Sequence, residues 1–203
     1  LGTITATAGN DLSQTGALGA DGNTDNVLLT ANTGSVTSSN TIEADVAITV
    51  DGAEDVTMND NLTTDTGAIS LTAGDALTLD AVADSAAAAT LTAGGQLVQS
   101  GDIIADGNVS LESTEGSVVT SAAATANGSN YTIDAGDSIT IGGAVIADGT
   151  ARIGGTREPS GSVAINATIN AAGIWADAGG DITQTEALTS SSVVNLDAGN
   201  LLD

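Results

Sequence analysis

Two arginines, Arg152 and Arg157, are the only basic side chains among 203 residues, set against 26 aspartates and glutamates with no lysine and no histidine. That ratio decides which chemistry the carboxylates can enter. Enzymes that cleave acidic glycans combine carboxylates with a basic group that neutralises the substrate or takes its proton. Only Arg152 and Arg157 are on offer, and Arg157 beside Glu158 reads as a solvated pair in a loop. Two carboxylates alone can hydrolyse a glycosidic bond, and Asp75, Asp137 and Asp181 each follow a glycine in similar phrases. Recurrence of that kind is what a structural corner produces, whereas an active site needs one special pair. No catalytic residue is assigned, and the chain is expected not to be an enzyme.

Calcium takes oxygen ligands from aspartate, asparagine and backbone carbonyls. Neither the GGxGxDxUx repeat nor a D-x-D-x-D-G loop with a closing glutamate occurs. Asp106 and Asp148, in ADGN (105–108) and ADGT (147–150), are weak metal candidates that leave room only for loosely bound calcium, and no cofactor is expected. Absence of cysteine removes any thiolate site or disulfide framework. Trp175, the one tryptophan, has Ile174 and Ala176 at inward parity, so its indole should point outward. It is a candidate surface contact that could stack a sugar ring or fill a neighbour's groove, the alternative being partial burial beneath a loop at 156–161. Tyr131 has inward parity, and its hydroxyl should find a buried partner or reach a corner.

The elements that hold these residues follow from an internal repeat. AISLTAGDAL (68–77), ATLTAGGQL (89–97), NYTIDAGDSI (130–139), IWADAGGDI (174–182) and VVNLDAGNLL (193–202) share a phrase of alternating apolar residues leading to glycine. Glycines 9, 34, 52, 74, 94, 116, 136, 154, 179 and 199 mark about ten copies with a mean spacing of about 21 residues. Within each copy the period is two: Ile69 and Leu71 share one face, Ser70 the other. Asp-Gly at 106–107 and 148–149 reads as a corner in which the glycine takes a left-handed backbone. TREPSG (156–161), with the only proline, reads as a loop inserted after one turn.

A turn of this length cannot bury its apolar face alone, but stacked on its copies it encloses a continuous interior. Apolar residues make up 41% of the chain, with no phenylalanine and one each of tryptophan, tyrosine and methionine, so that interior must be narrow. The fold expected is all-β: a right-handed parallel β-helix, or β-solenoid, of about ten turns with 20–21 residues per turn. One such domain should span 1–203, as a segment of a longer repeat protein. The formal charge of -24 excludes attraction to nucleic acid or anionic lipid. No stretch approaches the roughly 20 apolar residues of a membrane helix, so no membrane insertion is expected.

GAISLTAGDALTLDA, GDIIADGNVSLES and AGDSITIGGAVIADG, within a repeat covering nearly the whole chain, resemble the shaft repeats of filamentous hemagglutinin-like surface adhesins. That family's secretion domain, with its Asn-Pro motifs, has no counterpart in this one-proline sequence. The resemblance implies a shaft of an exported adhesin at the cell surface or outside the cell. It supplies neither a receptor nor a binding residue. The expected partners are further copies joined end to end, since Leu1 opens directly on a strand and the final turn stops at AGNLLD (198–203), just past its glycine, without a polar cap. Cell-surface glycans are the alternative, for a carbohydrate-binding or polysaccharide-processing β-helix.

Overall fold

A computed structural model describes residues 2–19, 24–154 and 159–200, and every regular element within them is a strand. One turn shows the plan. Ile69–Ala73 forms a first face, Leu77–Leu79 a second and Ala83–Ser85 a third, after which Ala89–Ala93 opens the next turn alongside Ile69–Ala73. Pairing is parallel along the whole stack: Ile4, Val27, Ile48, Ile69, Ala89, Val109, Tyr131, Ala151, Ile174 and Val194 are successive partners on the first face. The second face is a sheet of nine strands. The first and third faces merge into one sheet of fifteen, because Val145–Ile153, Ile169–Ala178 and Leu188–Ala198 each run unbroken from third face to first. The described residues therefore make nine turns and the opening strand of a tenth, a parallel β-solenoid.

The ten repeats expected from glycines were counts of first-face strand ends, and the tenth has no second-face strand after it among the described residues. Glycine also marks the register less faithfully than the apolar residues do. Ala73 to Leu77 and Ala93 to Leu97 are four residues apart, whereas Ala31 to Val36 and Ser113 to Val118 are five, yet Val36, Leu77, Leu97 and Val118 occupy one inward column. Corners face solvent and absorb the extra residue. Gly34 and Gly116 are thereby displaced, and Gly52 is a buried strand end in the column of Ala31 and Ala73. Where corners stack most closely, glycine is required: a Cβ on Gly94 would lie 1.9 Å from the carbonyl oxygen of Gly74.

The interior is one continuous apolar column. Val56, Leu77, Leu97, Val118, Ile139 and Val163 of the second face have no exposed surface, nor have Ile48, Ile69, Leu71, Leu91 and Ile133 of the first. Each such side chain contributes roughly 1.5–3 kcal/mol. Tyr131 is the largest fully buried side chain, and alanines offset its bulk: Ala124, Ala126, Ala147 and Ala151 stand on its own or adjacent rungs. Polar interior residues are confined to strand ends, where corner carbonyls lie within reach. Thr64 donates to Gly67 O at 2.7 Å, Ser85 to Ala88 O at 3.0 Å and Gln99 Nε2 to Gly101 O at 2.7 Å.

The inserted loop is legible only in part. Residues 156–158, with Arg157, lie outside the described residues. The step from Ile139 to Val163 is 24 residues, against 21 from Val118 to Ile139, so extra chain is accommodated in that turn.

Candidate functional site

The carboxylates singled out in the sequence are not assembled into a catalytic pair. Asp75, Gly95, Gly116 and Asp137 fill one corner column in successive rungs, linked by backbone bonds from Gly95 N to Asp75 O and Asp137 N to Gly116 O. Asp75 and Asp137 are thus three rungs apart, roughly 14 Å at the strand spacing of a sheet, beyond the separations of about 5–9.5 Å that glycosidases use. Asp181 stands in the neighbouring column, its N–H bonded to Ser162 Oγ at 3.2 Å. Corner acids serve the stack instead. Asp11 Oδ1 accepts from Ser35 N at 3.0 Å and Asp55 Oδ1 from Ala76 N at 3.1 Å, each holding the next rung.

Asp106 and Asp148 have the same role. Asp106 Oδ1 accepts from Asn127 Nδ2 at 3.2 Å and Asp148 Oδ2 from Gly128 N at 2.8 Å, so they grip the intervening corner from its two sides. Two rungs place them roughly 10 Å apart, too far to share an ion whose ligands lie at about 2.3–2.6 Å. Among the described residues no group of three His, Cys, Asp or Glu side chains is positioned to hold a metal. The expected left-handed glycines at these Asp-Gly pairs are also corrected. Gly19, Gly128 and Gly154 have positive φ, whereas Gly107 and Gly149 do not, and Asp148 and Gly149 lie inside the continuous strand Val145–Ile153. Gly149 serves close approach, since a Cβ there would meet Asn130 Oδ1 at 2.3 Å.

Tyr131 is inward and buried as its parity requires, but its hydroxyl has no hydrogen-bond partner among the described residues. Its register neighbours Val109 and Ala151 offer no acceptor. Burial pushes the phenol well above its ordinary pKa.

Trp175 takes the outward place, between buried Ile174 and Ala176, and is half-buried. The indole folds back along its own strand: a Cβ on Gly173 would lie 2.5 Å from Cζ3 and 2.6 Å from Cη2. Gly173 is thus the seat of the ring, a contact that the sequence reading missed and that the i, i−2 parity could have flagged. In register, Arg152 flanks Trp175 on one rung and Asn195 on the other, both exposed. Arg152 is the only cationic side chain among the described residues. Around the corner runs an open groove lined by Asp148, Asn170, Ala172, Thr189, Ser190 and Ser191. The second face is uncharged in its outward column, from Ser13 through Thr37, Thr57, Thr78, Val98, Val119, Thr140 and Ala164 to Thr183.

The two ends differ from the middle. Ile174 has no exposed surface, but Val194, directly over it in register, is 45% exposed. Leu188, Leu196, Ile4, Leu12 and Leu18 pack on the core yet are only partly covered. Comparison with protein-family models, with curated proteins and with solved structures found no match.

Proposed function

We propose that this chain is a shaft segment of an extracellular fibre or adhesin, continued at its ends by further rungs of the same kind. The observation that carries the reading is the contrast between Ile174, wholly covered by the rung above it, and Val194, which has no such cover among the described residues. A rung laid over Val194, Leu196 and Leu188 would bury their apolar surface and pair the open edge of Leu188–Ala198, whose only strand partner among the described residues is Ile169–Ala178. The opposite edge at Gly2–Ala8 has the same need. Acidic sides then discourage lateral contact and keep growth linear. The resemblance to hemagglutinin-type shaft repeats supports a place at the cell surface or outside the cell.

Mass photometry over rising concentration tests the reading. Copies should add in whole multiples of 19.5 kDa. A particle that stays at one copy, with its terminal rungs as protected from hydrogen exchange as its central ones, would overturn it.

A second reading, a carbohydrate-binding solenoid, has one observation in its favour, the row Arg152, Trp175 and Asn195. An aromatic ring lying on a flat sheet between an arginine and an asparagine offers an apolar surface and flanking hydrogen-bond donors to a sugar. Glycan-array binding that is lost in Trp175→Ala while the melting midpoint is unchanged supports it, and absence of any glycan signal removes it.

A further inference from the structure

The corner that leads from the third face to the first changes length along the stack. Register fixes its inward ends on each rung: Ala105 and Val109, Ala126 and Tyr131, Ala147 and Ala151, Ala171 and Ile174, Ser190 and Val194. Residues 106–108, 148–150 and 191–193 fill three of these corners, and 127–130 a fourth that is longer by one residue. Only Ala172 and Gly173 separate Ala171 from Ile174, the shortest such corner among the described residues. Elsewhere corners bulge by an added residue. Here one is missing, and the rung is recessed between its two neighbours.

That recess is the groove lined by Asp148 from one adjoining rung, Asn170 and Ala172 from the short rung, and Thr189, Ser190 and Ser191 from the other, with a volume of about 300 Å3. It lies at the small end of ligand sites. The Ser190 hydroxyl donates to the Ala172 carbonyl at 2.8 Å, tying the short corner to the longer one beside it. Asn170 and Thr189 are register partners on consecutive rungs, and both side chains are exposed and make no hydrogen bond among the described residues. Asp148 takes the Gly128 N–H on Oδ2 at 2.8 Å, which leaves Oδ1 unengaged among the described residues. The short corner also seats the indole. Gly173 follows Ala172 directly, and Cζ3 and Cη2 of Trp175 fill the space that a side chain on residue 173 would need.

The geometry points to one binding site made of recess and ring, which takes a neutral glycan with one sugar in the recess and the next stacked on Trp175. This rests on the carbohydrate-binding reading of Trp175 and adds the residues that choose the sugar. Sugar hydroxyls donate to the free oxygen of Asp148 and accept from the Asn170 amide, and the Thr189 hydroxyl can do either. The apolar face of a pyranose lies on the indole. Charge decides the class of glycan. Arg152 is the single cation beside the ring, whereas Asp148 lines the recess and Asp177 and Asp197, register partners, stand two residues beyond Trp175 and Asn195. An acidic sugar would meet three carboxylates for one guanidinium, on a chain that carries a formal charge of -24.

Binding is read on an array of neutral oligosaccharides printed beside their sialylated and uronic-acid counterparts, followed by calorimetric titration with the neutral oligosaccharides that bind. Neutral glycans should bind, and their acidic counterparts more weakly. Asn170→Ala and Thr189→Ala remove side chains that make no bond within the described protein, so each should leave the melting midpoint in place and weaken binding roughly fivefold, the loss of one hydrogen bond. Insertion of one serine between Ala172 and Gly173 restores the corner to the length of its neighbours and should abolish binding in a folded chain. If the insertion unfolds the chain, the two alanine variants decide alone. Binding that is lost in Trp175→Ala but unchanged in Asn170→Ala and Thr189→Ala would overturn the recess and leave the ring as the whole site. Absence of any glycan signal from the unaltered protein would remove the carbohydrate-binding reading together with it. Tighter binding of the acidic glycans would overturn the neutral assignment in favour of a site led by Arg152.

Discussion

Leu91 is enclosed between its register partners Leu71 and Leu111 and has no exposed surface. Leu91→Ala should cost about 2–5 kcal/mol, since rungs fixed by backbone bonds on both sides cannot collapse into the space left. Its outward neighbour Thr90 should tolerate alanine within about 0.5 kcal/mol. Urea titration separates the two, and equal midpoints would contradict the inward and outward assignment. Gly94→Val is harsher than its half-buried corner position suggests, because the new Cβ would meet the Gly74 carbonyl oxygen at 1.9 Å. The corner must open, and the midpoint should fall by an amount comparable to that for Leu91→Ala. Parity made Leu91 and Thr90 legible in the sequence, as it did Trp175. The fate of the Tyr131 hydroxyl was not legible, because parity says which way a side chain points and nothing about which acceptors lie at its level.

At the scale of the strand and the turn, the repeat could be read because inward residues recur with period two and neighbouring rungs repeat the pattern. Its division into three faces was less visible, since strands such as Leu77–Leu79 have only three residues and look like the continuation of their neighbours. Corner length was not legible at all: an additional residue at 32–35 or 114–117 changes the glycine spacing while the buried columns stay in register. Asp106 and Asp148, the weak metal candidates, stand two rungs apart, each bonded to the corner between them, so they do not share one ion. Removal of one whole turn, residues 89–108, would bring Val109 onto Ile69 and Val118 onto Leu77 with every inward residue still inward. Such a variant should fold and unfold cooperatively, only shorter. Removal of half a turn, residues 89–98, would bring the polar stretch at 99–102 onto a first-face strand, and circular dichroism should then show loss of the sheet. A folded half-turn deletion would contradict the register.

For the whole molecule, the -24 charge is distributed over corners and outward positions, with Asp134 the buried acid among the described residues. Screening by monovalent salt should therefore raise the melting midpoint modestly, and calcium at equal ionic strength should add nothing further. A calcium-specific rise would reveal a site that the spacing of Asp106 and Asp148 does not explain. The interior, by contrast, is continuous, and among the described residues it is least covered at the last rung, where Val194 is 45% exposed. Substituting Val194 and Leu196 by aspartate should shorten assemblies without moving the hydrogen-exchange protection of central rungs such as Leu91. Cryo-electron microscopy of the concentrated chain is the most direct measurement of the account. The prediction is single-file rods with strands across the axis and a rung spacing of about 4.8 Å that continues unbroken from one copy into the next. Particles that never exceed one copy in length, or rods that associate side by side with their ends free, would contradict it.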